Sequence, residues 1–387
     1  VFSWYTDTAI KEAINLLMEQ LDMTYESAER YLYTGGLKIV TVQNPEIQQT
    51  MEEYFSNEDN FPRIDDSAIQ PKFSMVVMDP KTGYVLGLVG DRGVKTKNRI
   101  LNYATDTYRS PGSSIKPLSV YGPALERGLI TYGSVYDDTP VNFGNPIRDE
   151  KTNQIIGYTK SIGYPSNYSK TYRGLTTINY AVKHSLTTIA YTVLQDLTID
   201  VSYDFLKNKL HFTNLVDEKV LANGKVLSDR DYAPLALGAM SYGCSVLQMT
   251  AAYQIFANDV VYTDPTIVYE ILDSNDEIVI KKEPTSEILL SSQTASIMTK
   301  LLENVVTSGT AAAGITVDNI VECAGKTGTT SNDNDRWFIG YTPYYLGGVW
   351  FGYEQPTSLS GFSAAISPAV KVWDTIMTKL HKQLQET

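Results

Sequence analysis

The sequence predicts an α/β fold in which a mainly antiparallel sheet lies between helices, with a helical subdomain beside it. Hairpin and strand patterns lie near both ends of the main part of the chain, at 73–90 and 319–355, and helical patterns dominate between them. A final amphipathic helix is predicted over 369–385. We therefore expect the N- and C-terminal parts to meet in one sheet that helices cover.

Local patterns before residue 70 predict a small leading module. They indicate two helices, a strand and a third helix, at 7–21, 25–33, 37–42 and the segment after Asn44-Pro45. Asp7 and Thr24 are suited to cap the first two helices. Because residues 56–71 are polar and contain proline, we expect a boundary there. The predicted division is a module at 1–70 and a main domain at 71–387.

The main domain begins with a predicted hairpin, whose strands Phe73–Met78 and Tyr84–Val89 flank a Pro- and Gly-containing turn. A turn-rich stretch follows at 131–172, and a second hairpin is predicted at 265–282. Helices are predicted over 113–126, 174–196, 200–209, 245–257 and 291–306. The late strands are predicted at Asn319–Thr329, Arg336–Tyr341 and Leu346–Tyr353.

Composition excludes several classes of protein. The 387 residues include 44 acidic and 32 basic side chains, a formal charge of −12, which argues against a nucleic-acid-binding protein. No run approaches the roughly 20 apolar residues that cross a bilayer. The three histidines are scattered, which makes a zinc hydrolase improbable. Cys244 and Cys323 are interpreted as buried thiols, not a disulfide.

The strongest local signal for chemistry is the segment 109–117, Arg-Ser-Pro-Gly-Ser-Ser-Ile-Lys-Pro. Its Pro-Gly turn can open a helix at Ser113, which places Lys116 on the same face one turn later. A desolvated lysine amine has a lowered pKa and can accept the proton of a serine hydroxyl. Ser-x-x-Lys is short enough to occur by chance, so a capped helix with a surface lysine is the competing interpretation.

A second signal is Lys326-Thr327-Gly328-Thr329 at the end of a predicted strand. It offers an ammonium group, hydroxyls and backbone N–H groups on one edge, suited to a carboxylate and an oxyanion, and Gly328 allows close approach. The other Lys-Thr-Gly, at 81–83, is interpreted as a hairpin turn. A P-loop is excluded because its first glycine would stand at 320, where the chain has Ile.

A weaker signal is Ser185, in a predicted helix between the other two segments. Its hydroxyl could pass a proton between Lys116 and a leaving group. Taken alone, the segment is better interpreted as an ordinary helix with small residues.

In this order, Ser-x-x-Lys, Ser and Lys-Thr-Gly resemble the serine acyltransferases that bind penicillin. The closer resemblance is to the transpeptidase domain of class A, bifunctional penicillin-binding proteins of Gram-positive type. The resemblance rests on the segments 35–45, 109–117, 172–177, 236–238, 250–253, 326–330, 335–343 and 349–353. The resemblance covers nearly the whole chain.

The resemblance implies the penicilloyl serine transferase fold and a peptidoglycan D,D-transpeptidase. Ser113 would be the nucleophile and Lys116 its base, with Ser185 and Lys326 completing the catalytic group. Thr187, Thr327, Gly328 and Thr329 would bind substrate, and the N–H groups of Ser113 and Thr329 would bind the oxyanion. Stem peptides and lipid-linked nascent glycan would be partners and β-lactams covalent inhibitors; neither a metal nor an organic cofactor is implied.

The chain departs from the family pattern in its second motif, where Ser185-Leu186-Thr187 stands in place of Ser-x-Asn. Threonine lacks the reach and the amide of asparagine. The resemblance also implies a glycosyltransferase domain before residue 1 and an N-terminal membrane anchor, both outside this chain. The expected location is the extracytoplasmic face of the cell membrane.

Two other classes of function stay open from the sequence. The same fold could serve a D,D-carboxypeptidase or a slow β-lactamase, although no convincing Glu-x-x-Leu-Asn segment for a deacylating water is present. The domain could instead bind cell-wall peptide without catalysis. Acylation by a penicillin separates this last alternative from the enzymes.

Overall fold

The centre of the molecule is a five-stranded antiparallel sheet built from both ends of the main domain. The computed structural model describes residues 1–64, 69–140, 143–148, 151, 155–160, 165–258, 260–362 and 365–386. Parts of the predicted boundary at 56–71 and of the turn-rich stretch at 131–172 lie outside these residues.

The strands are short, and most pair within local hairpins. They are β1 (Lys38–Thr41), β2 (Lys72–Met78), β3 (Val85–Val89), β4 (Val135–Asp138), β5 (Phe143–Arg148), β6 (Ile155–Lys160), β7 (Gly174–Thr177), β8 (Lys219–Val220), β9 (Val226–Leu227), β10 (Val261–Thr263), β11 (Val268–Leu272), β12 (Ile278–Lys281), β13 (Ser286–Ile288), β14 (Ala324–Thr329), β15 (Asp335–Tyr341) and β16 (Leu346–Gly352).

The helices are α1 (Trp4–Leu21), α2 (Tyr25–Thr34), α3 (Pro45–Ser56), α4 (Gly122–Glu126), α5 (Ile178–Lys183), α6 (Thr187–Leu197), α7 (Ile199–Asp204), α8 (Tyr232–Leu237), α9 (Val246–Ala252), α10 (Gln254–Ala257), α11 (Ser292–Ser308) and α12 (Pro368–Glu386). A 3₁₀ turn (Gly112–Ile115) and a π turn (Pro117–Tyr121) lead into α4, and a second π turn (Phe205–Lys209) follows α7.

The central sheet has the order β14-β15-β16-β2-β3. Strand β16 pairs with β2 so that Phe351 lies opposite Phe73, which confirms that the two ends of the main domain meet in one sheet. A Cβ on Gly347 would press on Met377 of α12, whereas one on Gly348 would press on Thr250 of α9. Because successive strand residues point to opposite faces, α12 covers one face and α9 the other. The predicted sheet between helices is confirmed.

The leading segment packs onto the rest of the chain. Strand β1 pairs with β11, with Lys38 opposite Leu272. The buried hydroxyl of Tyr5 on α1 donates a hydrogen bond to the carbonyl of Val85 at 2.7 Å. The described part of 1–70 therefore contributes to the same hydrophobic core, and the division near residue 70 stays a prediction.

Three local predictions were wrong. The segment 174–196 is not one helix: it begins as β7, which pairs with β4, and α5 and α6 are separated at Ser185. The late strand begins at Ala324, since Asp374 of α12 accepts hydrogen bonds from the amides of Thr316 and Val317 and fixes a turn before it. Helix α1 is capped by Ser3, not Asp7, whose carboxylate instead pairs with Lys95.

The sequence patterns also missed α8 and the short pairs β8–β9 and β10–β13. The prediction of two buried thiols is confirmed, because Cys244 and Cys323 are both buried and unbridged. Among the described residues, no helix combines the length and the apolar character needed to cross a bilayer.

Candidate active site

The segment that carries Ser113 forms a tight turn against the edge of the central sheet. Gly112 has a φ of 55°, and a Cβ there would collide with the backbone of Thr329 on β14. Only glycine meets both requirements without strain. The 3₁₀ turn that starts at Gly112 places Ser113 at the N-terminal end of a helical segment and Lys116 three residues later.

Contacts on both sides hold this turn beside β14. The indole N–H of Trp337, on β15, donates to the carbonyl of Ser110 at 3.0 Å. A side chain on Gly328 would collide with the carbonyl of Pro111, so the two backbones approach closely. In the sheet formed by the described strands, β14 is an edge strand, which leaves one row of its backbone polar groups without a strand partner.

Lys116 is fully buried. Its Nζ donates to the carbonyl of Ser185 at 2.9 Å and to Oγ1 of Thr187 at 3.3 Å. The pKa of Lys116 is lowered well below its ordinary value. Burial is the larger cause, and the positive charge of Lys326 is the second. A neutral amine at this position can act as a base.

Lys326 of β14 is the second buried amine of the site. Its Nζ donates to Oγ of Ser185 at 2.9 Å and to the carbonyl of Thr327 at 3.0 Å. Burial lowers the pKa of Lys326 to about 7. Near neutral pH this amine therefore exchanges readily between its charged and neutral forms.

Ser185 bridges the two lysines, because its carbonyl accepts from Lys116 and its hydroxyl accepts from Lys326. It lies in the break between α5 and α6 with a φ of 55°, a left-handed conformation that non-glycine residues seldom adopt. The backbone N–H of Ser185 donates to the carbonyl of Val182 at 3.1 Å, which closes the end of α5. The bridge is thus made by an unusual turn, not by a continuous helix.

The hydroxyl of Ser113 makes no hydrogen bond to another described residue, and its side chain is partly exposed. Ser113 stands three residues before the buried Lys116 in the same helical segment. An accessible hydroxyl one helical turn from a buried amine is the arrangement that a nucleophile with a lysine base requires. Catalytic hydrogen bonds are often incomplete before substrate binds.

The outer part of the site is a row of hydroxyls along β14. Thr327 and Thr329 are partly exposed, with buried Gly328 between them. Oγ1 of Thr327 lies 2.7 Å from Oγ1 of Thr310, in the loop after α11. The backbone N–H of Thr310 donates to the carbonyl of Lys183 at 3.3 Å, so this loop is tied to the end of α5. Sequence reasoning missed Thr310, since no local pattern links it to the motif at 326–329.

The structure brings the three predicted motifs together. Lys116 contacts Ser185 and Thr187, and Lys326 contacts Ser185. The turn that carries Ser113 packs against Gly328 and Thr329, next to Thr327. Thr187 keeps a polar contact with Lys116 through its hydroxyl, although asparagine is absent from this position. Within the described part of the chain, no cluster of three or more His, Cys, Asp or Glu side chains is arranged to hold a metal ion.

Comparison with known proteins decides the family. The model of the penicillin binding protein transpeptidase domain matches residues 73–358. The chain belongs to this family. The class A transpeptidase domain that the sequence motifs indicate is thus confirmed.

Relatives of this penicillin-binding protein domain are longer proteins. Penicillin-binding protein 1A of Clostridium tetani is 30% identical over 396 residues, which cover 99% of this chain and 48% of that protein. Penicillin-binding protein 1F of Bacillus subtilis is 30% identical over 386 residues, 98% of this chain and 47% of that protein. The chain spans about half the length of these curated relatives.

Solved structures share the fold. PonA1 of Mycobacterium tuberculosis in complex with penicillin V superposes with a TM-score of 0.71 at 21% identity, covering 97% of this chain and 93% of that one. Penicillin-binding protein 1A from Haemophilus influenzae gives 0.70 at 18% identity, covering 96% and 70%. The penicilloyl serine transferase fold predicted from the sequence is therefore confirmed.

Proposed function

We propose that this domain is a peptidoglycan D,D-transpeptidase that cross-links stem peptides through an acyl-enzyme on Ser113. One observation carries the proposal: Ser185 bridges two fully buried lysines, Lys116 and Lys326, beside an accessible serine hydroxyl. Burial lowers the pKa of Lys116 well below its ordinary value and that of Lys326 to about 7, so that near neutral pH Lys116 can act as a base and the charged form of Lys326 can donate a proton.

In the acylation step, Oγ of Ser113 attacks the carbonyl of the penultimate D-Ala of a stem peptide ending in D-Ala-D-Ala. Its proton passes to the neutral amine of Lys116. The negative charge on the carbonyl oxygen is stabilised by the backbone N–H groups of Ser113 and Thr329. The C–N bond then breaks, and the departing D-Ala nitrogen receives the proton of the Ser185 hydroxyl, which is replaced by a proton from the charged form of Lys326.

The contacts of Ser185 suit this relay. Because its Oγ accepts a hydrogen bond from Lys326, its own O–H is free to donate to the leaving nitrogen. Lys116 contacts Ser185 through its backbone carbonyl, which cannot pass on a proton. The hydrogen-bonded path to the leaving nitrogen therefore runs from Lys326 through the hydroxyl of Ser185, and not from Lys116 as the sequence suggested.

The outer row of hydroxyls is suited to the terminal carboxylate of the donor peptide. Thr327 and Thr329 present O–H groups, Lys326 contributes positive charge when protonated, and Gly328 keeps the strand free of an obstructing side chain. A β-lactam, whose carboxylate and reactive carbonyl are similarly spaced, would occupy the same places. Its acyl-enzyme on Ser113 would persist because the leaving group stays attached.

In the second step, an amine of a neighbouring stem peptide attacks the ester carbonyl on Ser113. The proton of this amine passes through the hydroxyl of Ser185 to the neutral amine of Lys326, and the charged Lys116 returns its proton to Oγ of Ser113 as that oxygen leaves. The products are a peptide cross-link and the regenerated serine. We also propose that lipid-linked nascent glycan supplies the stem peptides. The longer protein would be attached to the extracytoplasmic face of the membrane.

The test is labelling with a fluorescent penicillin, followed by mass spectrometry of the modified peptide. We expect stoichiometric labelling of the wild type on Ser113 and none of Ser113→Ala. Ser110→Ala is the matched control, because its hydroxyl lies in the same loop but bonds to the carbonyl of Met240. Labelling that survives Ser113→Ala would overturn the assignment.

Incubation with stem-peptide donor and acceptor separates the related activities. A cross-linked product with released D-Ala supports the transpeptidase. Released D-Ala without cross-linked product identifies a carboxypeptidase, and fast turnover of penicillin identifies a β-lactamase. A domain that binds stem peptide but is never acylated is a binding module.

A further inference from the structure

We propose that Asn167 is a positioning residue that, together with Asp138, caps α6 from outside the helix and holds the turn at Ser185 between the two lysines. The inference rests on the proposed function, since it concerns how the acylating group is assembled. Asn167 lies in the loop before β7, and Asp138 ends β4. Neither residue belongs to the motifs at 113–116, 185–187 or 326–329.

Helix α6 begins without a capping side chain of its own. The residue before Thr187 is Leu186, which has no acceptor for the first N–H groups of the helix. Oδ1 of Asn167, 20 residues earlier, accepts a hydrogen bond from the N–H of Thr187 at 2.8 Å and from that of Thr188 at 3.4 Å. Asn167 therefore caps the N-terminus of α6, although it is not adjacent to the helix in the chain.

Asn167 is itself held rigidly. Its Nδ2 donates to Oδ1 of Asp138 at 2.7 Å and to the carbonyl of Thr171 at 3.0 Å. The carboxyl of Asp138 also accepts from the hydroxyl of Thr188 at 2.5 Å and from the N–H of Arg173 at 3.0 Å. Buried polar groups that are fully paired in this way rigidify their surroundings.

Burial and bonding show that this group acts on the turn and not on substrate. Asn167 is 1% exposed, and Asp138 and Thr188 are 0% exposed. Both N–H bonds of the Asn167 amide are already used by Asp138 and Thr171. Asn167 consequently has no donor to offer a peptide in the cleft.

The capped end of α6 is where both buried amines find their partners. Lys116 bonds to the carbonyl of Ser185 and to the hydroxyl of Thr187, the first residue of the helix. Lys326 bonds to the hydroxyl of Ser185. Without the cap, the left-handed turn at Ser185 loses its anchor on the α6 side, and a displacement of about 1 Å among reacting groups can lower a rate about 100-fold.

The experiment measures acylation by penicillin in single-turnover mode, which separates the dissociation constant of the non-covalent complex from the acylation rate constant. For Asn167→Ala we expect the rate constant to fall about 10- to 100-fold. The dissociation constant should change little, because Thr327 and Thr329 are untouched. In hydrogen exchange, the amides of Thr187 and Thr188 should lose protection. Asn167→Asp keeps the acceptor but faces Asp138 with an oxygen, so it should behave similarly.

Trp373→Phe is the matched control. It removes another buried hydrogen bond, from the indole N–H to the carbonyl of Gly347 at 3.1 Å, where α12 covers the sheet. It should lower thermal stability and leave the acylation rate constant unchanged. If Asn167→Ala does not fold, Thr188→Val, which deletes one donor to Asp138, takes its place with a smaller expected loss.

The inference is overturned if the Asn167 variant acylates as fast as the wild type, or if Trp373→Phe slows acylation equally. It is also overturned if exchange at Thr187 and Thr188 is unchanged. A wild type that penicillin does not acylate, or labelling that persists in Ser113→Ala, instead overturns the proposed function. The positioning role in catalysis then fails with it, while the exchange data still report separately whether Asn167 caps α6.

Discussion

Lys326 and Ser185 are joined by a hydrogen bond of 2.9 Å, although 141 residues separate them in the chain. The bond connects the edge strand β14 to the break between α5 and α6. It therefore ties these two parts of the site together at the residue that Lys116 also contacts. The charge state of one amine influences the other, since like charges in a buried cluster disfavour each other.

Removing the amine of Lys326 should disable acylation. We expect Lys326→Ala to lower the second-order rate constant of penicillin acylation by about 100-fold or more, because Ser185 loses its hydrogen-bond donor and the substrate carboxylate loses a positive charge. Stopped-flow measurement with a fluorescent penicillin reports this rate constant.

The chain provides a control for that variant in its second Lys-Thr-Gly. Lys81 is exposed in the turn between β2 and β3, where its N–H donates to Oδ1 of Asp79. Lys81→Ala should leave acylation within about two-fold of the wild type, as is usual for surface substitutions. Equal effects of Lys326→Ala and Lys81→Ala would contradict the role given to β14.

Stability should depend on pH through the buried amines. Because burial lowers the pKa of Lys326 to about 7, the unfolded chain binds this proton more tightly than the folded protein does. Between pH 7 and the ordinary lysine pKa of 10.5, the unfolded state carries more protons, so the free energy of unfolding rises with pH. Lys116, whose pKa is also lowered, acts in the same direction.

Urea unfolding of the wild type and of Lys326→Met, at about pH 7 and about pH 9, measures this slope. The wild type should gain more stability between the two values than the variant, which has no amine to neutralise. The comparison stops at about pH 9 because the buried Tyr253 has a raised pKa. Once tyrosines of the unfolded chain ionise, this residue makes the free energy of unfolding fall with pH. If the free energy of unfolding changed equally with pH in the two proteins, Lys326 would be charged in the folded state.

The second motif offers a gain-of-function test. In Thr187→Asn, the amide oxygen can replace the hydroxyl as acceptor for Lys116, and the amide N–H₂ adds a donor for the substrate backbone. One added hydrogen bond of about 1 kcal/mol predicts a roughly five-fold faster acylation. Thr187→Val, which keeps the shape without the hydroxyl, is expected to be slower than the wild type. A Thr187→Asn variant slower than Thr187→Val would show that the turn is fitted to threonine.

Local signals predicted much of this fold, because hairpins and amphipathic helices are encoded over short stretches. The strands around Asp79-Pro80 follow from alternation and turn chemistry. The pattern also predicted that the two ends of the main domain meet in one sheet, but the register that places Phe73 opposite Phe351 came only from the structure. The motifs Ser113-x-x-Lys116 and Lys326-Thr327-Gly328 identified the candidate site for the same reason, since each is contiguous.

The turn at Ser185 could not be predicted in this way. The sequence Lys183-His184-Ser185-Leu186 contains neither Gly nor Pro, so its local pattern favours an uninterrupted helix. The break is held by Lys116, Lys326 and Asn167, all of which approach from distant parts of the chain. Tertiary hydrogen bonds override local propensity here, and only coordinates show them.

Thr310 provides a test of the proposed carboxylate site. Its hydroxyl lies 2.7 Å from that of Thr327, and its backbone is bound to the end of α5. In Thr310→Val, the hydroxyl of Thr327 loses its partner and is free to rotate away from the substrate. A lost hydrogen bond of about 0.5–1.5 kcal/mol corresponds to a roughly 2- to 10-fold weaker non-covalent complex. The acylation rate constant should change less, because Lys116 and Ser185 keep their contacts.

The measurement is the same single-turnover experiment, with Thr307→Val as the control. Thr307 lies in the last turn of α11, where its hydroxyl bonds to the carbonyl of Glu303, and it does not contact β14 through a hydrogen bond among the described residues. Weaker binding in Thr310→Val with unchanged binding in Thr307→Val would place the carboxylate against Thr327. If Thr310→Val instead slowed acylation and left binding intact, the loop after α11 would act on the reacting groups, and the carboxylate would have to lie nearer Thr329.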